Sequence, residues 1–182
     1  MADPGPSRKP TPQLSGDRFE TEVVRRSPEW KAAPITDVAL ALAAEAAFAA
    51  APPSDAEAYE LTVVLSDDEE VRDLNRTWRC KDTPTNVLSF PAGEQPGAPR
   101  QLGELVLAFE TVAREADAHG LALSDHVSHL VVHGVLHLLG FDHASEDDAE
   151  KMESTERQVL ASLGIADPYA EKGHAGVAEV SP

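Results

Sequence analysis

Apolar and polar positions along the chain alternate with two different periods. Apolar residues two positions apart indicate a strand, and one example is the set Leu61, Val63 and Leu65, which would share one face. Positions three or four apart indicate amphipathic helices. These patterns predict four strands, over 19–24, 59–65, 87–90 and 103–109. They also predict five helices: from 36 or 37 to about 50, after 66–69, over 111–119, from 124 to about 139, and after 145–148 as far as 164.

Capping residues mark where these helices begin, because a side-chain oxygen at the N-cap accepts a hydrogen bond from an otherwise unpaired backbone N–H. Thr36 or Asp37 can cap the first helix, and Ser124 the fourth. The segment 66–69 forms a capping box, and 145–148 caps the last helix. The predicted helix boundaries therefore rest on local chemistry as well as on periodicity.

The helix over 124–139 is apolar nearly all round, as expected of a helix buried in a domain. The helix after 66–69 instead has one apolar stripe, Val71, Leu74 and Trp78, which we expect to face inward. Strands and helices alternate without a glycine-rich phosphate loop. The sequence therefore predicts an α/β or α+β domain with a small sheet covered by helices and the buried helix at its centre.

Both ends of the chain lack this periodicity. Residues 1–17 contain four prolines among small and polar residues, so we expect a disordered arm. Residues 165–182 are expected to form a flexible acidic tail. The 182 residues then contain a single domain over 18–164.

The cysteine content and the longest apolar run indicate a compartment. The single cysteine, Cys80, excludes an intrachain disulfide and is typical of a reducing cytoplasm. No apolar run follows a basic start, so we expect no secretory signal. The longest apolar stretch, 38–51, is too short to span a bilayer, and no membrane contact is expected.

The formal net charge of −17 argues against binding nucleic acid by bulk electrostatics. The charge is uneven, however. Between positions 72 and 100 the basic residues Arg72, Arg76, Arg79, Lys81 and Arg100 outnumber the acids Asp73, Asp82 and Glu94. A local basic patch of this kind could still hold a phosphate backbone.

Three histidines carry the candidate chemistry of the buried helix. His133 and His137 are four residues apart, so their imidazoles lie on one helix face. Gly140 can end the helix in a left-handed conformation and bring His143 back to the same point. Three imidazoles on one divalent ion leave a fourth position for water, which is the layout of a catalytic zinc site. We expect one zinc ion per chain, although histidines also suit nickel, copper or iron.

The metzincin peptidases share this histidine spacing, but they carry a glutamate base directly after the first histidine. Here that position is Gly134, which cannot accept a proton. The sequence therefore has the histidine spacing of a metzincin metal site but lacks the glutamate base of a peptidase.

Residues around the histidines resemble a known family. HGVLHLLGFDH at 133–143 resembles the signature of the YbeY family, bacterial metal-dependent endoribonucleases of ribosomal RNA maturation. LNRTWRCKDTPTNVLSFP at 74–91 resembles the family's L-N-x-x-[YW]-R-x-K-D-x-P-T-[DN]-V-L-S-F-P, and LGELV at 102–106 resembles its L-G-D-I-[VI]. The resemblance covers about 61–164. It implies a sheet of about four strands of mixed direction.

The resemblance assigns a role to Arg79, which we expect to be a catalytic residue that binds the scissile phosphate. A guanidinium can hold phosphate through two parallel hydrogen bonds and stabilise developing charge. Lys81 would assist along the backbone. An ion pair between Arg79 and Asp82 is the alternative.

Three more residues are candidates for supporting the ligands or the water. His129 lies one turn before His133 and could orient a ligand or be a core histidine. Asp142 could orient a ligand, activate water or cap the turn, and Glu104 is a candidate by analogy alone. The general base remains unassigned.

The function implied by the resemblance is a cytoplasmic, metal-dependent, single-strand-specific endoribonuclease acting in ribosomal RNA maturation. A metal-activated water would attack the phosphodiester. The expected partners are single-stranded precursor RNA and the ribosome or its proteins. Two alternatives stay open: a non-catalytic, metal-stabilised ribosome assembly factor, and a metzincin-like zinc peptidase without the usual base.

Overall fold

The computed structural model of the protein describes residues 18–55, 57–93 and 99–170. One sheet has the strand order β1–β2–β4–β3, with β1 at Phe19–Arg25, β2 at Tyr59–Ser66, β3 at Val87–Pro91 and β4 at Arg100–Ala108. Strands β1, β2 and β4 are parallel, and the edge strand β3 is antiparallel to β4. The predicted mixed sheet of four strands is confirmed.

The described residues form six helices: α1 (Glu29–Ala32), α2 (Asp37–Ala50), α3 (Asp68–Arg79), α4 (Phe109–Ala118), α5 (Leu123–Leu138) and α6 (Glu146–Ser162). Helix α1 was not predicted, because four residues are too few to show a period. Its Trp30 is buried and donates Nε1–H to the Ser66 carbonyl at 2.7 Å. Among the described residues, the helices are too short or too polar to cross a membrane.

The sheet separates two cores. On one face α2, α5 and α6 pack together, and Leu61, Leu105 and Leu136 are fully buried there. On the other face α3 covers a smaller cluster that includes Val64 and Val106. Helix α5 is therefore enclosed by the sheet and by other helices, as its apolar pattern predicts.

Helix α5 approaches the sheet closely at Gly134. A Cβ at this position would lie 2.7 Å from Leu105 Cδ2 and 3.2 Å from Ser89 Oγ. Because the interior is close-packed, a larger side chain would overlap the sheet. The missing peptidase glutamate thus has a structural reason.

Two of the predicted helix caps are confirmed and two are wrong. The side chains of Thr36 and Ser145 each accept a backbone N–H three residues on, at 3.1 Å. Helix α3 is capped by Asp67 rather than by a box that begins at 66. Helix α5 begins one residue before Ser124 and has no side-chain cap, so this serine already lies inside the first turn.

Trp78 contradicts the stripe predicted for α3. Val71 is fully buried, but Trp78 is 65% exposed. Its ring contacts Phe90 of β3, with 6.3 Å between the centroids. Because β3 is the last strand of the sheet, no further strand covers the other side of the indole.

The chain continues to pack after Gly164. The N–H of Ile165 donates to the Leu160 carbonyl at 2.9 Å, and its side chain lies against the larger core. Tyr169 contacts α6 through its hydroxyl. Residues 165–170, which the sequence assigns to a flexible tail, therefore contact the domain. The rest of that tail and the predicted arm 1–17 lie outside the described residues.

Candidate metal centre

Helix α5 and the turn that follows it position the three histidines. His133 is fully buried and His137 is half-buried near the end of the helix. Gly140 has a φ of +92°, and its N–H donates to the His137 carbonyl at 2.9 Å. This left-handed residue ends the helix and turns the chain back, so that His143 faces the other two rings.

The three imidazoles converge on one point. One ring nitrogen from each lies within 4.8 Å of those of the other two. Nε2 of His133 and Nε2 of His137 are 3.0 Å apart, and the centroid of His143 lies 5.4 and 5.1 Å from those two rings. Two nitrogens bound to one zinc ion at 2.0–2.1 Å would be roughly 3.4 Å apart. The spacing therefore fits a single ion.

Hydrogen bonds behind the rings determine which nitrogens face the centre. His133 Nδ1 lies 2.6 Å from Glu156 Oε1, and His137 Nδ1 lies 2.9 Å from the Phe141 carbonyl oxygen. A carboxylate and a carbonyl only accept hydrogen bonds, so each Nδ1 carries a proton. Both Nε2 atoms then present lone pairs to each other at 3.0 Å. These lone pairs repel unless a cation lies between them, so the donor set fits a metal ion.

Glu156 is a candidate supporting residue that the sequence analysis missed. It lies on α6, and its side chain is completely buried. The available signal was its position on the inward stripe of Met152, Val159 and Leu160, because a buried acid must be paired. A carboxylate behind a ligand imidazole holds the ring orientation and tautomer and makes the metal-facing nitrogen more basic.

Burial and neighbouring charges favour a neutral imidazole at His137 and an ionised carboxylate at Glu156. Burial and the adjacent His133 lower the pKa of His137 to about 4, so this ring is neutral at pH 7. Burial also disfavours the charged form of Glu156, but His129 and His133 outweigh it and hold the pKa of this carboxyl below its usual value. Metal binding needs neutral imidazoles.

Two of the candidate supporting residues lie close to the triad. His129 is buried, and its Nε2 lies 3.9 Å from Glu156 Oε2, too far for a hydrogen bond. Its ring centroid lies 6.4 Å from that of His133. Asp142 is exposed and accepts the N–H of His143 at 2.7 Å, which is the turn-capping role.

Glu104 corrects one expectation. On β4, Leu105 and Leu107 belong to the core beneath α5, and Val106 belongs to the core beneath α3. Because side chains alternate along a strand, Glu104 points to the α3 face with Val106. The sheet separates Glu104 from the histidines, so it does not support a ligand.

Arg79 is the last residue of α3 and is half-buried, whereas Lys81 is exposed in the loop that follows. The preceding residue, Trp78, contacts Phe90, and the end of α5 lines a groove with Pro91. Helices α3 and α5 therefore finish near the same end of β3. The structure places Arg79 near that end but on a helix that packs on the opposite face from the histidines.

Carboxylates partly neutralise the basic patch predicted from the sequence. Ion pairs join Arg72 to Asp82 at 2.8 Å, Arg76 to Asp73 at 2.9 Å, and Arg100 to Asp55 at 3.2 Å. Asp82, which the sequence offers as a partner for Arg79, thus pairs with Arg72.

A buried helix with two histidines on one face, a turn that returns a third, and a carboxylate behind the first define an α/β protein with a site that could hold a metal ion. A family model described as Endoribonuclease YbeY matches residues 29–164. The chain belongs to the endoribonuclease YbeY family. The predicted family is confirmed, and with it the class of enzyme, a hydrolase.

Relatives named Endoribonuclease YbeY match most of the chain. The Rhodopseudomonas palustris protein is 51% identical over 154 residues, covering 82% of this chain and 80% of the relative. The Azorhizobium caulinodans protein is 50% identical over 155 residues, covering 84% and 97%. The Parvibaculum lavamentivorans protein is 48% identical over 176 residues, covering 91% and 93%.

A solution structure of a Thermotoga maritima protein has the same fold. Its sequence is 21% identical and its TM-score is 0.50, with 86% of this chain and 99% of that chain covered. At this identity the likeness supports the α/β fold alone.

Proposed function

We propose that this chain is a metal-dependent endoribonuclease that cleaves single-stranded RNA during ribosomal RNA maturation, with one zinc ion per chain at His133, His137 and His143. Family membership supports the reaction class. The observation that supports the metal site is that Nε2 of His133 and Nε2 of His137 face each other at 3.0 Å beside a third imidazole.

Each part of the centre has a role in the proposed reaction. The three histidines would hold the ion and leave a position open for water or substrate. A divalent ion held there supplies Lewis-acid chemistry, because it lowers the pKa of water and withdraws charge from a phosphoryl oxygen. Glu156 and the Phe141 carbonyl orient two of the rings and hold the proton of each on Nδ1, so that Nε2 faces the centre.

The choice of zinc rests on the ligands, since three nitrogens with an open fourth position are typical of catalytic zinc. We propose the cytoplasm as the compartment and the ribosome or its proteins as partners. The peptidase alternative is disfavoured because Gly134, at the position of the peptidase base, has no side chain that could accept a proton and packs closely on the Leu105 side chain.

Removal of the metal tests the proposed function. Metal-free protein should leave a labelled single-stranded RNA uncut, and one equivalent of zinc should restore cleavage. A duplex of the same sequence should remain intact. The metal-free sample comes from the same preparation, so a contaminating ribonuclease would be active in both samples. Zinc-loaded protein no more active than metal-free protein would contradict the proposal.

Arg79→Ala tests the role proposed for this guanidinium. We expect cleavage to fall by about 10²–10³-fold, because the change removes a donor to the charge that develops on phosphate. The zinc content should not change, since Arg79 lies on α3 and the histidines lie on and after α5.

Arg76→Ala is the matched control for this substitution. Arg76 lies on the same helix and is exposed, in an ion pair with Asp73. Exposed ion pairs contribute little to stability. The variant should therefore fold normally, and near-normal cleavage is expected. Wild-type cleavage by a zinc-loaded Arg79→Ala protein would exclude Arg79 from catalysis.

A further inference from the structure

Both oxygens of the buried Glu156 carboxylate are bonded. Oε1 accepts Nδ1–H of His133 at 2.6 Å, and Oε2 accepts the hydroxyl proton of Tyr169. Glu156 has no exposed surface, so these two hydrogen bonds replace the hydrogen bonds that water would otherwise make to the carboxylate. A short chain of contacts therefore runs from Tyr169 through Glu156 to the imidazole of His133.

The segment after α6 brings Tyr169 to this position. The backbone N–H of Tyr169 donates to Asp167 Oδ1 at 2.8 Å, which makes a tight turn. The Arg157 guanidinium lies 5.2 Å from the centroid of the Tyr169 ring and 3.8 Å from Asp167. Arg157 thus holds both the turn and the ring against α6. Asp167 and Tyr169 follow the range 29–164 that the family model matches, whereas Arg157 lies within it.

We propose that Tyr169 is a positioning residue for the metal centre: its hydroxyl holds Glu156 so that Oε1 keeps His133 in the tautomer that binds metal. This inference rests on the proposed function. With Oε2 held, the carboxylate cannot rotate away from His133. Without the hydroxyl, Oε2 would lose a partner in a buried site, and the carboxylate would turn toward another donor. His129 Nε2, which is buried without a hydrogen-bond partner, lies 3.9 Å from Oε2 and is such a group.

Tyr169→Phe tests the proposal, because it removes the hydroxyl and keeps the ring on Arg157. Zinc affinity is measured by competition with a chromophoric chelator. The histidine ring nitrogens of the metal-free protein are observed by long-range ¹H–¹⁵N NMR, which distinguishes the two tautomers. We expect zinc affinity to fall about tenfold. His133 should change from the Nδ1–H tautomer to a mixture of the Nδ1–H and Nε2–H tautomers.

Tyr59→Phe is the matched control. The Tyr59 hydroxyl also donates to a carboxylate, Asp55, at 3.0 Å, and its ring packs on Phe48. Zinc affinity and the His133 signals should stay at wild-type values in this variant. Thermal melting of both metal-free variants shows whether a loss of stability accounts for any change.

Unchanged zinc affinity in Tyr169→Phe would overturn the proposal. So would weaker binding with unchanged His133 signals, since Tyr169 would then act through stability alone. If the wild type bound no zinc, the proposed function would fail. The His133 tautomer in metal-free protein would then decide by itself whether Tyr169 positions this ring.

Discussion

His137→Ala is expected to abolish metal binding and RNA cleavage together. The substitution removes one of the two Nε2 lone pairs that face each other at 3.0 Å, and two imidazoles alone do not make a three-ligand site. Bound zinc should fall from about one ion per chain to near zero. Cleavage of a labelled single-stranded RNA should fall to the background of the buffer. Elemental analysis and the cleavage assay are run on the same samples.

His119→Ala is the control for His137→Ala. His119 is exposed at the end of α4 and is not part of the triad, so zinc content and cleavage should remain at wild-type levels. After removal of the metal, both variants should melt within a few degrees of metal-free wild type, because His137 is only half-buried and His119 is exposed. If His137→Ala kept its zinc, the ion would bind elsewhere, and the proposed centre would be wrong.

Glu156→Gln is expected to weaken zinc binding by about 10–100-fold. The carboxylate can only accept, so it forces the proton of His133 onto Nδ1 and leaves the lone pair on Nε2. The glutamine amide can also donate, so it permits the other tautomer, in which Nε2 carries a proton and cannot bind metal. Titration with zinc against a chelator of known affinity measures the effect.

Glu150→Gln makes the same change in charge six residues earlier on α6. Glu150 is exposed, whereas Glu156 is completely buried. Its zinc affinity should match that of the wild type. Equal affinities for Glu156→Gln and the wild type would mean that the carboxylate does not control the His133 tautomer.

Ionised Glu156 should also make stability depend on pH. Its pKa is lower in the folded protein than the ordinary value of 4.5, so folding favours the charged form. This contribution is fully present above about pH 4.5 and is lost as the pH falls further, because the unfolded chain takes up the proton first. Metal-free wild type should exceed Glu156→Gln by about 1–3 kcal/mol in the free energy of unfolding at pH 7. Urea unfolding at several pH values should show the two converging under acidic conditions.

Local patterns were sufficient for most of the secondary structure. The ends of strand β2 and helix α5 were predicted within one or two residues, because their apolar patterns extend over many residues. Short or marginal features were not accessible in this way. Helix α1 has four residues, too few for a period. The predicted stripe of α3 includes Trp78, but whether a strand lies beneath that last turn depends on where the sheet ends.

The cluster of three histidines was predictable because its geometry is local. The spacing of four residues and the turn at Gly140 bring His133, His137 and His143 together with few contacts from elsewhere. The close approach of Gly134 to the sheet was not readable, since it depends on how α5 packs against β3 and β4.

The sequence by itself determined the strands, the buried central helix, the family resemblance and the three histidines, because each depends on residues close together in the chain. Only the tertiary structure showed that Glu156 meets His133 across 23 residues, that Tyr169 holds this carboxylate, and that Glu104 faces the wrong side of the sheet. Such contacts depend on which elements pack against each other, and the local pattern of apolar residues does not determine that packing.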